Sequence, residues 1–221
     1  MIKAIIFDLD NTLYDAELVK ARQFNRVKDA LRRNLNDNEI QKLEEEFKTK
    51  NFLQILELIK NKFGEKMAEE AKEIYFNVDL NGIKLFDDVI ETLKKLNKHF
   101  IKILVTQGTI KNQKEKVMRL GLSEYFDKVY YVDDGDNKEI YFKKVLNEFN
   151  LLPREVIAVG DTPYREIKMG KELGMHTVQF LHGKFANTDT GIEPDYKIKK
   201  ISEIPSILKN LFNQKEQRKD E

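Results

Sequence analysis

The apolar positions of the chain fall into short runs separated by longer stretches with helical spacing. Lys3-Ala4-Ile5-Ile6-Phe7 is one such run, rich in Ile and Phe, and it stops at Asp8. That length and composition predict a strand covered on both faces. Ile101-Lys102-Ile103-Leu104-Val105, Val129-Tyr130-Tyr131-Val132 and Val156-Ile157-Ala158-Val159 repeat the pattern, and His176-Thr177-Val178-Gln179-Phe180 is a weaker version. Between them, Phe86, Val89, Ile90, Leu93 and Leu96 share one helical face, and Ile140, Val145, Leu146 and Phe149 line another. Strands alternating with helices predict right-handed crossovers and an α/β fold built on a doubly wound parallel sheet.

The span from about Ala16 to Asn81 breaks this alternation. It holds no strand run; Phe24, Val27, Leu31 and Leu35 share one helical face, and Phe52, Ile55, Leu56, Ile59 and Phe63 another. Irregular loops of that length are rare in compact domains, so the pattern predicts a small all-helical cap, residues 16–81, inserted after the first strand. Residues 1–15 and 82–221 then form the α/β core. Glu44-Glu45-Glu46 reads as solvated helix surface, and the polar tail from Asn213 is expected to fray.

Composition narrows the function. Hydrophobic residues at 41% of 221 are enough for a real core and exclude wholesale disorder. With 39 Lys+Arg against 38 Asp+Glu, spread along the chain, no nucleic-acid partner is expected. The absence of cysteine excludes disulfides, thiol catalysis and Cys-ligated zinc. His99, His176 and His182 form no close ligand pair. No run approaches the roughly 18 apolar residues that span a bilayer, and the N-terminal apolar run is too short for a signal peptide. A cytoplasmic location without membrane contact is expected. Nothing in the pattern sets an oligomeric state.

Ligands of open parallel sheets bind outside the carboxyl ends of the strands, so what each strand delivers there is informative. The first ends in Asp8-Leu9-Asp10-Asn11-Thr12, the next in Thr106-Gln107-Gly108, and the fourth in Gly160-Asp161-Thr162-Pro163. The third leads into Asp133-Asp134-Gly135-Asp136-Asn137-Lys138. Two carboxylates about 4 Å apart repel by roughly 4 kcal/mol at an effective dielectric near 20. Asp8, Asp10 and Asp161 together therefore call for a cation or a proton. Oxygen-only donors favour Mg²⁺, with Mn²⁺ or Co²⁺ as substitutes.

Asp8-Leu9-Asp10-Asn11-Thr12-Leu13 resembles the D-x-D-x-T signature of the haloacid dehalogenase (HAD) superfamily phosphatases. Thr106, Lys138 and Gly160-Asp161 with Glu166 resemble that family's second, third and fourth motifs, in order and across nearly the whole chain. The resemblance implies that Asp8 attacks phosphorus and that Asp10 exchanges protons with the leaving group and then with water. It implies a metal held by the Asp8 carboxylate, the Asp10 backbone carbonyl and Asp161, and phosphoryl oxygens bound by Thr106 and Lys138. Main-chain N–H groups near Leu9, Asn11 and Gln107 would complete the cradle beside Gly108. Lys138 lacks the proline that often follows it in that family, which leaves Lys143 and Lys144 as fallbacks, and Glu166 stands where many members have Asp.

Plainer roles exist for single residues. Asp8 and Asp10 fit a polar turn, Thr106 a helix cap, Lys138 an ordinary surface lysine, Asp161 a turn residue beside Gly160, and Glu166 a first-turn acid favoured by the helix dipole. The expected substrate is a small phosphate ester of the sugar or triose phosphate class, with Tyr14, Asp15, Lys20 and Phe24 as residues that face it or fill the core. A cap at this place is expected to open and close over the site. A dehalogenase would leave Asp10 without a task, and a phosphomutase would use the same residues. A receiver-like or purely phosphate-binding protein would explain the acids but not the helical insertion.

Overall fold

The computed structural model describes residues 1–50, 52–96 and 99–217. Six strands form one parallel sheet: β1 (Ala4–Phe7), β2 (Ile101–Gln107), β3 (Lys128–Val132), β4 (Val156–Gly160), β5 (His176–Phe180) and β6 (Tyr196–Ile198). Their order across the sheet is β3-β2-β1-β4-β5-β6. β1 lies between β2 and β4, with Ala4 opposite both Ile101 and Val156, and all four of its residues are buried. That double covering explains its unbroken apolar run. The chain leaves β1 toward β2 and β3, then returns to β4 on the other side. The strand ends flanking that reversal are where open α/β sheets bind ligands.

The chain divides into two compact units. One takes Met1–Ala16 and everything from Gly82 onward; the other is Glu17–Asn81. In the first, α5 (Val89–Leu96), α6 (Ile110–Arg119), α7 (Lys138–Glu148), α8 (Lys168–Leu173) and α9 (Ile204–Gln217) connect or follow the strands. One sheet face carries Ile6, Ile103, Val105, Val132, Phe142, Val145 and Ala158 in a single buried cluster. Ile140, expected on the inner face of α7, is exposed; Phe142 and Val145 do the packing. The three-residue edge strand β6, with Lys197 at its centre, has too little apolar signal to be read from sequence. The tail expected to fray from Asn213 instead carries α9 to Gln217, and residues 218–221 lie outside the described residues.

The second unit holds α2 (Asp37–Thr49), α3 (Phe52–Phe63), α4 (Glu65–Phe76) and nearly all of α1 (Ala16–Leu31). No strand occurs in it among the described residues. Its own core gathers Phe24, Val27, Leu31, Leu35, Ile40, Leu43, Ile55, Leu56 and Ile59. Phe24 is buried and stacks on Phe47, so it belongs to this core. α2 starts with a reciprocal cap: Glu39 N–H donates to Asn36 Oδ1 at 3.0 Å, and Asn36 N–H donates to Glu39 Oε2 at 3.1 Å. Glu44 and Glu46 pair at the surface with Lys28 and Lys50.

No helix among the described residues is long and apolar enough to cross a membrane.

Candidate active site

The site begins where β1 stops. Asp8 N–H still follows the sheet, donating to Val159 O at 2.9 Å. The chain then turns, with Leu13 N–H on Leu9 O at 2.9 Å and Asn11 in the left-handed region at φ 60°. Asn is one of the few residues that tolerate that conformation. Asn11 also accepts from Ala16 N–H at 3.0 Å, satisfying a free donor at the start of α1. One tight turn thus sets the direction of both Asp8 and Asp10.

Two charge clusters result. In the first, Lys138 Nζ donates to Asp8 Oδ1 at 2.5 Å and to Glu166 Oε1 at 2.6 Å. All three side chains are at least nine-tenths buried, the lysine at 4% exposure. Lys138 opens α7, whose N-cap is Asn137 accepting from Glu139 N–H at 2.9 Å. A cation in a helix's first turn opposes the macrodipole, so helix stability does not account for it; the two carboxylates do. Burial alone would lower the Lys138 pKa, but Asp8 and Glu166 outweigh it and raise the value above the ordinary lysine range. Burial pushes the Asp8 carboxyl up to about 6, against the pull of Lys138 and with a further push from Glu166. Lys143 pairs instead with Glu139 at the surface, and Lys144 lies over Tyr130, so neither fallback lysine makes this contact.

The second cluster surrounds Asp10. Lys116 Nζ donates to Oδ1 at 2.8 Å and to Oδ2 at 2.9 Å, and Gln113 Nε2 donates to Oδ2 at 3.0 Å. The Tyr14 hydroxyl donates to Oδ1 in a short bond. Burial would raise the Asp10 pKa, yet the charge of Lys116 and the hydrogen bonds from Gln113, Lys116 and Tyr14 hold it at about 2. The repulsion expected at Asp8 and Asp10 is therefore relieved in part by the protein's own lysines, one per cluster. Sequence reading missed Gln113 and Lys116 because α6 carries Lys111, Lys114, Glu115 and Lys116 in what looks like a solvated face. The available signal was their spacing of three, which puts both on one side of a helix. Tyr14, expected to face substrate, is 1% exposed and turned to Asp10; Lys20 pairs with Glu17.

The remaining residues complete the edge. Thr106 lies inside β2, not at a cap, and its hydroxyl, like that of Thr12, is buried with no hydrogen-bond partner among the described residues. Gln107 Nε2 donates to Asp136 O at 2.8 Å and Asp133 O at 3.3 Å, tying β2 to the loop before α7. Gly160 admits Glu166: a Cβ there would stand 2.5 Å from Glu166 Cγ, so the glycine makes room for this side chain. Glu166 sits on a π-helical turn, Pro163–Ile167, a form that recurs at functional sites. Asp161, buried just beyond β4, accepts from the Thr162 hydroxyl at 2.9 Å.

Among the described residues no three acidic, histidine or cysteine side chains form a ready-made metal cage. The donor set still suits a hard cation, because Mg²⁺ keeps several waters and needs only one or two carboxylates besides substrate phosphate. Asp8 and Asp161, buried at the ends of adjoining strands, could supply those, and Glu166 Oε2 is buried without a hydrogen-bond partner among the described residues.

Paired charges thus gather at the reversal point of a parallel α/β sheet, where such folds bind ligands. Residues 5–180 match the haloacid dehalogenase-like hydrolase family, and the chain belongs to it. It is 32% identical to a glyceraldehyde 3-phosphate phosphatase of Methanocaldococcus jannaschii, over 96% of this chain and 99% of that one. The enzyme of that name from Pyrococcus furiosus is 30% identical over 95% and 93%. The N-acylneuraminate-9-phosphatase of Homo sapiens is 25% identical over 95% of each. With such relatives, the chain is a phosphoric monoester hydrolase. Its fold is shared by a haloacid dehalogenase-like hydrolase from Xanthomonas campestris, with a TM-score of 0.72, 18% identity and coverage of 98% and 94%.

Proposed function

We propose that this protein is a Mg²⁺-dependent phosphatase of a small sugar or triose phosphate, acting through an aspartyl-phosphate on Asp8. Glyceraldehyde 3-phosphate is the favoured substrate, since two relatives at 30% identity or more, matched over nearly full length, carry that activity in their names. A cytoplasmic location suits a substrate of this kind, since phosphorylated metabolites are ionised and retained by membranes. The helical unit, residues 16–81, serves as its cap, and residues 1–15 with 82–221 as the catalytic core.

One observation carries the mechanism: a buried carboxylate, Asp8, held at 2.5 Å by a buried lysine at the end of the central strand. Fixing Asp8 by Lys138 leaves its second oxygen to act as nucleophile and removes the search for alignment. Lys138 then remains to bind phosphoryl charge, with Glu166 keeping it in place. The unpartnered Thr106 hydroxyl, on the neighbouring strand, is a donor for a phosphoryl oxygen. Asp8, Asp161 and the Asp10 main-chain carbonyl would hold the Mg²⁺, which when bound neutralises phosphate charge. Asp10 rests as a carboxylate, the form that takes a proton from attacking water in the second step. To protonate the leaving alkoxide in the first step, Asp10 must first take up a proton as substrate binds, and the negative charge of the phosphate favours that uptake.

The test is hydrolysis of glyceraldehyde 3-phosphate and p-nitrophenyl phosphate with Mg²⁺, with EDTA and with Asp8→Asn. Metal-dependent turnover lost in that variant supports the reading. Turnover that survives either EDTA or the substitution refutes it.

A further inference from the structure

We propose that His182 is the latch of a hinge: its imidazole holds both chain crossings between the α/β unit and the helical unit, and thereby sets how readily the cap opens during turnover. The link to turnover rests on the phosphatase reading; the latch itself does not.

The chain leaves the α/β unit after Ala16 and re-enters it at Gly82. Just inside those points the two crossings are tied to each other. Phe86 N–H donates to Leu13 O at 3.0 Å, and Tyr14 forms an antiparallel bridge with Leu85. His182, just beyond the end of β5, reaches both crossings. Its Nε2 lies 3.1 Å from Asp15 Oδ1 on the outgoing one. Its ring meets that of Phe86 on the returning one, edge to face, with centroids 4.9 Å apart. Phe86 in turn lies 5.2 Å from the ring of buried Phe180, which seats the returning crossing on the end of β5.

The two crossings are anchored differently. On the outgoing side Ala16 N–H is held by Asn11 Oδ1 at 3.0 Å, so α1 starts directly from the turn that follows β1. On the returning side Asn81 O accepts from Arg22 of the helical unit at 2.7 Å, and Leu85 and Phe86 are fixed in the α/β unit. Gly82, Ile83 and Lys84 lie between those anchors. Gly82 has φ 68°, and a Cβ there would meet nothing within 4 Å, so the backbone can turn at this point at little cost. Hinges absorb motion at a few such positions beside element ends. Neither crossing can shift without giving up its contact with the imidazole. The polar contact is also close without being aligned: Nε2 is buried and 3.1 Å from the carboxylate, yet makes no hydrogen bond among the described residues. A small movement of the ring or of Asp15 completes it, as expected of a contact that is made and broken.

The test is amide hydrogen exchange at one pH and temperature on wild type, H182A, H182F and D15N, with the kinetics of glyceraldehyde 3-phosphate hydrolysis alongside. In H182A the Phe86 amide is expected to exchange on the order of 10-fold faster while the amides of β1 and β4 keep their wild-type rates. KM should rise by about 3-fold or more while kcat holds or rises, because a looser hinge closes less tightly on substrate and releases product sooner. H182F keeps a ring against Phe86 and loses the pairing with Asp15, so it should fall between. D15N keeps a side chain that caps a helix as well as Asp does and weakens only the pairing, so it should show the same changes in smaller measure. D15N carries the test if H182A does not fold. Unchanged exchange at Phe86 in both variants, or a rise shared equally by β1 and β4, would overturn the latch. Faster exchange at Phe86 with KM unchanged, or with kcat lowered, would overturn its control of turnover. A wild type without turnover would remove the phosphatase reading, and exchange at Phe86 would still decide the latch.

Discussion

Asp8→Asn is expected to stabilise the protein while abolishing turnover. The Asp8 carboxyl, ordinarily at 3.8, is raised to about 6 by burial, against the attraction of Lys138 and with the added repulsion of Glu166. A folded-state pKa above the unfolded one means that folding favours the protonated form. The stability linked to Asp8 is therefore full below about pH 4 and lost as pH rises through about 6. The gap from 3.8 to about 6 corresponds to about 3 kcal/mol at pH 7. Asn mimics the neutral carboxyl, so the variant should gain up to that amount at neutral pH and nothing at pH 4. For a chain of this size about 3 kcal/mol is a rise in Tm on the order of 6–12 °C. Urea unfolding of wild type and variant, with EDTA present throughout, from pH 4 to 7, reads the difference directly, because other titrations cancel. A variant no more stable than wild type at pH 7, or a gain that persists unchanged to pH 4, would refute the assignment of a strained, buried nucleophile.

Lys138→Met leaves Asp8 and Glu166 facing each other without their cation, and kcat/KM is expected to fall by about 10²-fold or more, measured with saturating Mg²⁺. Asn36→Ala removes one half of the reciprocal cap on α2 and should cost about 1 kcal/mol, seen as a lowered melting temperature of the helical unit. Asp195 accepts from Thr177 N–H at 2.7 Å and Oγ1 at 2.9 Å and from Lys171 at 3.0 Å. Although partial burial works against it, these donors lower its pKa. Its contribution is thus present at neutral pH and lost as pH falls through the carboxylate range, and Asp195→Asn should flatten that part of the pH–stability curve. Phe142→Ala, which empties a fully buried position under the sheet, should cost about 3–5 kcal/mol in urea unfolding.

The strands that position the site were legible because each is buried on both faces and so reads as an unbroken apolar run. β6 was not, since an edge strand of three residues needs no such run. Asp8, Asp10, Thr106, Lys138 and Asp161 could be picked out because the ends of parallel strands converge whatever their sequence separation, and Glu166 through the resemblance to the family's fourth motif. Their partners were harder. Gln113 and Lys116 lie on a helix whose polarity resembles that of any solvated surface, and their meeting with Asp10 depends on how α6 packs after β2. The role of Gly160 also escaped the sequence: its missing side chain receives Glu166, a contact set by the π-helical turn that follows. Ile140 shows the converse error, an apolar residue assigned inward by spacing and found exposed once Phe142 occupies the inner position.

The most direct measurement is acid quenching of the enzyme during turnover of glyceraldehyde 3-phosphate with Mg²⁺, followed by mass spectrometry of the peptide containing Asp8. A phosphoryl group on Asp8, formed and lost at rates compatible with kcat and missing from Asp8→Asn, is the expected result. Steady turnover with the phosphoryl group on another residue, or undiminished turnover in Asp8→Asn, would contradict the assignment of Asp8 as the nucleophile.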